Sequence, residues 1–328
     1  MKRQEFVNVL LKRASGKPAT RGEAFVPANI ALCKYWGKRD AELNLPVNSS
    51  LSISLGKLGT HTVVKFAKTA DRIFLNGKPA PADFAARLSK FLDLFRADGQ
   101  FFEVRTKNNI PTAAGLASSA SGFAALVKAL DQLFGWGFNL RELSMLARLG
   151  SGSASRSLYD GFAVWHAGER ADGFDSYAEG IEAQWPALRV GILEVSKARK
   201  KTGSTDGMNR TRETSELYEA WPAQAECDFD ELRTAIAAQD FTLLGETAEN
   251  NALAMHATML AAWPPLCYWK PQSLALMQKV WQAREDGLEI YFTMDAGPNL
   301  KLLFLKENQA AVKVLFPKVQ IVNPFPQV

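Results

Sequence analysis

Residues 108–121 read Asn-Asn-Ile-Pro-Thr-Ala-Ala-Gly-Leu-Ala-Ser-Ser-Ala-Ser, and their small side chains leave the backbone open to close approach. Where such a stretch turns into a helix, the free N–H groups of the first turn and the positive end of the dipole make a seat for an anion, typically phosphate. Hydroxyls at Ser118, Ser119 and Ser121 offer further ligands to phosphate oxygens or to a phosphate-bound magnesium ion. The plain alternative is that small residues only let a helix pack tightly on its neighbour, and the stretch alone does not decide. It is neither a Walker A loop, since no Gly-Lys-Ser/Thr follows, nor a dinucleotide fingerprint.

Other places hold side chains suited to an anionic substrate. Lys34 and Lys38 flank Tyr35, Trp36 and Gly37, and two ammoniums with three donors each suit a phosphorylated ligand. By itself that segment reads more simply as a solvated turn with a packed Trp36. Gly150-Ser151-Gly152-Ser153-Ala154-Ser155-Arg156-Ser157 sets a guanidinium, able to grip carboxylate or phosphate in bidentate fashion, among small and hydroxyl residues. A flexible surface loop is the alternative; the buried strand expected at Phe162–Trp165 argues for a buried loop. Asp295 lies in Asp-Ala-Gly-Pro-Asn, which on its own is ordinary turn punctuation. His256, one of three histidines, reads as structural because the sequence supplies it no partner.

The elements that must position these residues follow from periodicity. Ala24–Leu32 reads as a strand entering a buried sheet, and residues 51–55 alternate as a half-exposed strand. Residues 61–66 and 72–75 suggest a hairpin around Asn76-Gly77. A helix over Asp83–Phe95 carries Arg87. Phe101–Thr106 reads as a strand leading into the small-residue stretch, and Phe123, Leu126, Val127, Leu130, Leu133 and Phe134 recur at helical spacing behind it. Arg141–Leu149 is a further helix and Ala187–Ser196 a central strand. The charge run Lys197, Arg199, Lys200 and Lys201 reads as a solvated face. Residues 211–261 are largely helical, and strands at Glu289–Met294 and Leu300–Phe304 flank Asp295.

Composition sets the frame. With 328 residues, 47% apolar and 22% charged, the chain suits one large or two intimate globular domains. No apolar run is long enough to span a membrane. Three scattered cysteines form neither a disulfide framework nor a zinc site and fit a reducing cytoplasm. Residues 1–23 hold six Lys or Arg against two Glu, which accounts for four of the five net positive charges. The body is nearly neutral, so the tail reads as a solvated basic terminus and no nucleic-acid partner is expected.

Five separated motifs resemble the mevalonate diphosphate decarboxylases, a branch of the GHMP kinase superfamily. They are Asn29-Ile30-Ala31 with Lys34–Lys38; Leu45-Pro46 with Asn48–Ser52; Asn108–Ser121; Ser151–Ser157; and Tyr291–Asn299. Met255–Thr258, Trp263-Pro264-Pro265 and Gly203–Met208 are also similar to that family, whereas Asp160 departs from the glycine usual there. The resemblance implies an α+β GHMP kinase fold. Residues 24–190 would form an N-terminal domain like the second domain of ribosomal protein S5, and 191–328 a C-terminal GHMP-type α+β domain. Residues 1–23 would be a basic extension and the active site the cleft between the domains.

The same resemblance implies ATP-dependent decarboxylation of mevalonate 5-diphosphate to isopentenyl diphosphate, with ATP and Mg2+ as cofactors, in a cytoplasmic homodimer. Asp295 would orient or deprotonate the tertiary C3 hydroxyl, with Lys34, Arg156 and Asn29 completing the catalytic set. Arg156 would hold the substrate carboxylate. Tyr35, Trp36, Gly37, Lys38, Arg87, Ser151, Gly152, Ser153, Ala154, Ser155, Ser204 and Thr205 would line the substrate site. Asn109, Pro111, Ala113, Ala114, Gly115, Leu116, Ala117, Ser118, Ser119 and Ser121 would hold ATP, with Ser118 on the metal. A decarboxylase acting on mevalonate 5-phosphate and a kinase that stops at the 3-phosphate share these motifs and stay open. A non-catalytic protein with an RNA-binding tail is the remote alternative, and under the enzyme reading removal of residues 1–23 leaves activity intact.

Overall fold

The computed structural model of the protein describes residues 1–110, 118–196, 198 and 200–325, with Ser118 described by its backbone alone. The first half runs α1 (Arg3–Leu11), β1 (Gly22–Cys33), β2 (Lys38–Asp40), β3 (Leu45–Pro46), β4 (Ser50–Ala67), β5 (Arg72–Leu75), β6 (Lys78–Pro79), α2 (Ala82–Leu92) and β7 (Phe101–Asn108). It continues with α3 (Ser118–Phe134), α4 (Leu140–Gly150), the single turn α5 (Ala154–Ser157), β8 (Phe162–Trp165) and β9 (Ala178–Ile181). The second half holds β10 (Leu188–Leu193), α6 (Ser204–Thr214), α7 (Trp221–Ala238), α8 (Phe241–Leu260), α9 (Pro271–Glu285), β11 (Ile290–Met294), β12 (Leu300–Leu305), α10 (Gln309–Leu315) and β13 (Gln320–Val322).

A seven-stranded sheet is built on β4, which pairs with β1 and β8 near its start and with β1 and β7 further on. Between Pro27 and Asn29 the register of β1 jumps from Gly59 to Ser54. The chain thereby crosses into the buried half of the sheet, where Asn29 and Lys34 lie. The second sheet is antiparallel in the order β11-β12-β10-β13, and the boundary expected at 190/191 falls inside β10. One apolar core joins the sheets: Ile30, Leu32 and Ile53 of the first pack with Val190, Ile192 and Leu303 of the second and with Phe229, Leu232 and Met255 from α7 and α8. Helix α8 can lie directly on β11 because Gly245 has no Cβ; one there would fall 2.0 Å from the Tyr291 ring.

Four sequence expectations change. The basic N-terminus is not a solvated tail: Phe6, Val7 and Leu10 of α1 are fully buried in the core under α2, α3 and α4. Most of its cations lie on the outer face, while Arg3 donates to the backbone of Ala41 and Glu42, so loss of residues 1–23 would open that core. Residues 50–55 are buried on both faces, not half-exposed. Their alternation is real, but the polar face of Ser50, Ser52 and Ser54 looks into the protein. The Asn76-Gly77 turn joins β5 to β6, while β5 runs parallel to β7 and β4 pairs elsewhere. Short β6 had no alternation to announce it. Finally, the buried segment expected as a loop at 150–157 closes a helical turn at α5.

Candidate active site

The site is centred on the turn after β11. Asp295 Oδ1 accepts from Lys34 Nζ at 3.0 Å, and Oδ2 accepts from Lys301 Nζ at 2.9 Å. Both lysine side chains are 2% exposed, whereas that of Asp295 is 33% exposed. The lysines therefore approach from the protein side and the carboxylate keeps an open side. Burial alone would raise the Asp295 carboxyl, but the Lys301 and Lys34 charges and hydrogen bonds outweigh it and hold the group far below the usual carboxylate range. Lys34 is pushed down to about 8, chiefly by burial, with Asp295 opposing and Lys301 assisting.

The backbone behind these groups is pinned. Lys34 N–H donates to Asn251 Oδ1 at 2.7 Å, and the Asn251 amide donates in turn to buried Asp228 at 2.7 Å. His256 does have a partner, one a sequence cannot display: its Nε2 lies 3.1 Å from the Asp295 carbonyl. Burial pushes His256 down to about 4, so at neutral pH the ring is uncharged and donates through Nε2 to that carbonyl. His256 holds the Asp295 turn.

Arg156 is 2% exposed. It donates to Ser50 Oγ, and its Nε has no hydrogen-bond partner among the described residues. Burial pushes it down to about 10, so it stays charged at neutral pH, within electrostatic reach of Cys33, Asp295 and Tyr35. A buried cation without a carboxylate is costly unless an anion arrives. The Tyr35 hydroxyl is likewise buried with no hydrogen-bond partner among the described residues, and its ring is edge-on to Trp165 at 4.9 Å. Gly152 is what admits that ring, since a Cβ there would lie 2.7 Å from Tyr35. Asn29 donates to Ser153 O at 3.2 Å and to Ser157 Oγ at 2.6 Å, tying β1 to the α5 turn.

A second group of cations gathers at Lys38. Its Nζ donates to Asn44 Oδ1 at 2.7 Å, while Asn44 Nδ2 donates to the carbonyls of Arg148 and Leu149 at 2.9 and 3.1 Å. Burial lowers Lys38, and Arg3 and Arg87 lower it further. Arg87 is thus brought into the cluster; it donates to Gly150 O at 3.2 Å, beside Ser151 and Ser153, whose hydroxyls are 3.5 Å apart. Ser204 accepts from Lys200 at 3.0 Å, and Ser204 and Thr205 are exposed at the start of α6. Lys200 in turn feels Asp295, so this member of the run expected to be a solvated face is turned toward the site, while Lys197 and Arg199 lie outside the described residues.

Several of the expected contact residues are engaged within the protein itself. Trp36, Ala154 and Ser155 are buried, and Ser155 donates to Gly152 O. Gly37 lies under the Tyr218 hydroxyl, which donates to Trp36 O. Ser121 is fully buried 2.7 Å from Thr60 Oγ1, and the Asn109 amide is engaged with the backbone of Lys57 and Gly59. Ser119 lines a cavity of about 240 Å³ with Leu75, Phe84, Arg87, Thr106 and Phe123. Pro111, Ala113, Ala114, Gly115, Leu116, Ala117 and the Ser118 hydroxyl lie outside the described residues. Asp160 is exposed. Among the described residues no three His, Cys, Asp or Glu side chains are placed to hold a metal ion, and no helix is long and apolar enough to cross a membrane.

Lys301 and Asn44 were missed. Lys301 was detectable as a lone charge between apolar neighbours in Leu-Lys-Leu-Leu-Phe-Leu, since buried charges are paired. Asn44 needs its left-handed φ of 53° to be noticed, which the sequence alone does not display.

Known proteins share this architecture. Residues 26–178 match the Diphosphomevalonate decarboxylase-like N-terminal domain, and residues 190–324 the Mevalonate 5-diphosphate decarboxylase C-terminal domain. The diphosphomevalonate decarboxylase mvd1 of Aspergillus fumigatus is 39% identical over 323 residues, covering 91% of this chain and 80% of that protein. A solved structure described as MDDEF in complex with MVAPP, AMPPCP and magnesium gives a TM-score of 0.87 at 42% identity, covering 93% of this chain and 96% of that one. The mevalonate diphosphate decarboxylase from Staphylococcus aureus gives 0.88 at 40% identity, covering 93% and 95%. The chain belongs to the diphosphomevalonate decarboxylase family.

Proposed function

We propose that this protein converts (R)-mevalonate 5-diphosphate and ATP to isopentenyl diphosphate, ADP, phosphate and CO2. The observation that carries the reading is the Asp295 carboxylate, open on one side and held between Lys34 and Lys301, with a buried arginine nearby whose Nε has no hydrogen-bond partner among the described residues. Asp295 accepts a hydrogen bond from the C3 hydroxyl and aims its oxygen at the γ-phosphorus of ATP. Lys34 offsets negative charge as the phosphoryl group passes. Arg156 binds the C1 carboxylate. The C3 oxygen bonds to the γ-phosphorus as the bond from that phosphorus to ADP breaks, and the hydroxyl proton leaves by way of the Asp295 carboxylate to water. The C3–O bond to phosphate then breaks, the C1–C2 bond releases CO2, and its electron pair forms the C2–C3 double bond.

Lys38, Arg87, Ser151 and Ser153 hold the diphosphate end, with the Tyr35 hydroxyl donating nearby. The cavity beside α3 takes the nucleotide base, placing the phosphates at the helix start. Magnesium, when bound, offsets the negative charge of the ATP phosphates; it usually keeps waters and phosphate oxygens as ligands, so a site without a carboxylate cluster suits it. The relative bound to AMPPCP and magnesium supports this assignment. Three free cysteines suit a reducing compartment, and a cytoplasmic homodimer completes the reading.

Purified protein given ATP, magnesium and C1-labelled mevalonate 5-diphosphate is expected to release labelled CO2. Release from the 5-phosphate alone would move it to the monophosphate reaction. ADP without CO2 would make it a 3-kinase and remove the role given to Arg156.

The pH profile offers a separate check. Lys34 must be charged to act and stands near 8 in the free protein, so kcat/KM is expected to fall as pH rises through about 8. Bound phosphates raise the lysine, which puts the alkaline limb of kcat higher than that of kcat/KM. A kcat/KM profile flat up to the ordinary lysine range of ~10.4 would contradict the role of Lys34.

A further inference from the structure

We propose that Lys301 is a positioning residue of this reaction: from β12 it fixes the Asp295 carboxylate against Lys34 and gives the Lys–Asp–Lys set a net positive charge facing the transferring phosphoryl group. The inference rests on the role given to Asp295 above. Strand β12 is buried throughout its first five residues. Leu300, Leu302 and Phe304 pack in the C-terminal core, while Leu303 packs in the shared core, so period-2 alternation puts Lys301 with Leu303 on the side facing the first sheet. An ammonium in that setting needs a strong reason to be there, since two apolar faces leave it little solvation. Its partners are Asp295 Oδ2 at 2.9 Å and the Asn299 carbonyl at 3.4 Å.

At 2% exposure Lys301 does not reach the cleft, so it acts through Asp295. Lys34 alone would leave the carboxylate free to rotate about its last bond. A second ammonium on the other oxygen fixes its plane, and with it the direction in which the remaining lone pairs accept the C3 hydroxyl. It also changes the charge. Asp295 with Lys34 is neutral, whereas Asp295 with both lysines is +1, and Arg156 and Lys200 add to that field while His256 stays neutral. A phosphoryl group spread over three anionic oxygens is drawn to such a centre.

Lys301→Met keeps the length of the side chain and suits its apolar neighbours. It is expected to lower kcat on the order of 10²-fold, as misplacement of a reacting group by about 1 Å does, with KM for either substrate changed far less. Because Lys301 pushes Lys34 down, its loss is expected to move the alkaline limb of kcat/KM to higher pH. Lys301→Arg keeps the charge and is expected to leave that limb near the parent's. A parent-like kcat in Lys301→Met overturns the proposal. So does a loss of kcat with an unmoved alkaline limb, which marks a merely structural role, and a thermal melt of each variant guards against misfolding. If the parent protein itself releases no CO2, the underlying reading of the reaction fails instead.

Discussion

Asp295→Asn is expected to lower CO2 release from the diphosphate by a factor on the order of 10²–10⁴, the usual contribution of a positioned acid–base group. The amide keeps the size of the carboxylate and one acceptor oxygen but removes the charge that two ammoniums share. One lysine would face an NH2 group, donor against donor, and the side chain must turn. Lys34 would lose the counter-charge that opposes its burial, so a larger part of the population would hold it neutral at neutral pH. Both effects act on phosphoryl transfer, which precedes decarboxylation. ADP formation and CO2 release should therefore fall together in a single turnover, while binding of the diphosphate, held by Lys38 and its neighbours, changes little. If ADP formed at the parent rate while CO2 alone was lost, Asp295 would belong to the second step. A parent-like rate of both would remove it from the mechanism.

How much of this was legible in the sequence depends on the kind of contact. Asp295, Lys34 and Arg156 sat in recognisable strings, and the strands and helices that carry them follow from alternation and helical spacing. The pairs that make them work were not legible. Lys34 and Asp295 are separated by 261 residues, and Asn251 reaches the Lys34 N–H across 217; no local pattern encodes such a meeting. His256 binds a backbone carbonyl, a partner every residue offers. The serines of β4 looked like a solvated face because a polar alternation carries no mark of which side holds water. Ser121, Ser155 and Trp36 show that a motif residue can also be buried in packing beside a site, which the motif alone does not display.

The N-terminal helix gives the sharpest test of that lesson. Phe6→Ala is expected to destabilise the protein by about 3–5 kcal/mol, the usual range for a truncated core phenylalanine. The Phe6 side chain is fully buried, stacks on Phe174 at 4.5 Å between centroids, and lies under the Arg148 guanidinium at 5.1 Å. Arg148 is itself fully buried and donates to the carbonyls of Gly173 and Ser176. Opening a hole beside it would admit water to a cation that burial now holds down at about 9. At roughly 2–4 °C per kcal/mol for a domain of 150–250 residues, the loss should read as a fall in Tm on the order of 10 °C. A solvated tail would instead shift stability by no more than ~0.5 kcal/mol in either direction. The effect should also reach the substrate. Arg148 and Leu149 carbonyls hold the Asn44 amide, Asn44 holds Lys38, and the Arg3 side chain donates to the backbone of Ala41 and Glu42 just before it. Below its melting range Phe6→Ala is therefore expected to raise KM for the diphosphate more than it lowers kcat. An unchanged melt would return α1 to the role of an ornament, and a lowered melt with unchanged KM would confine it to the core and detach it from the diphosphate end of the site.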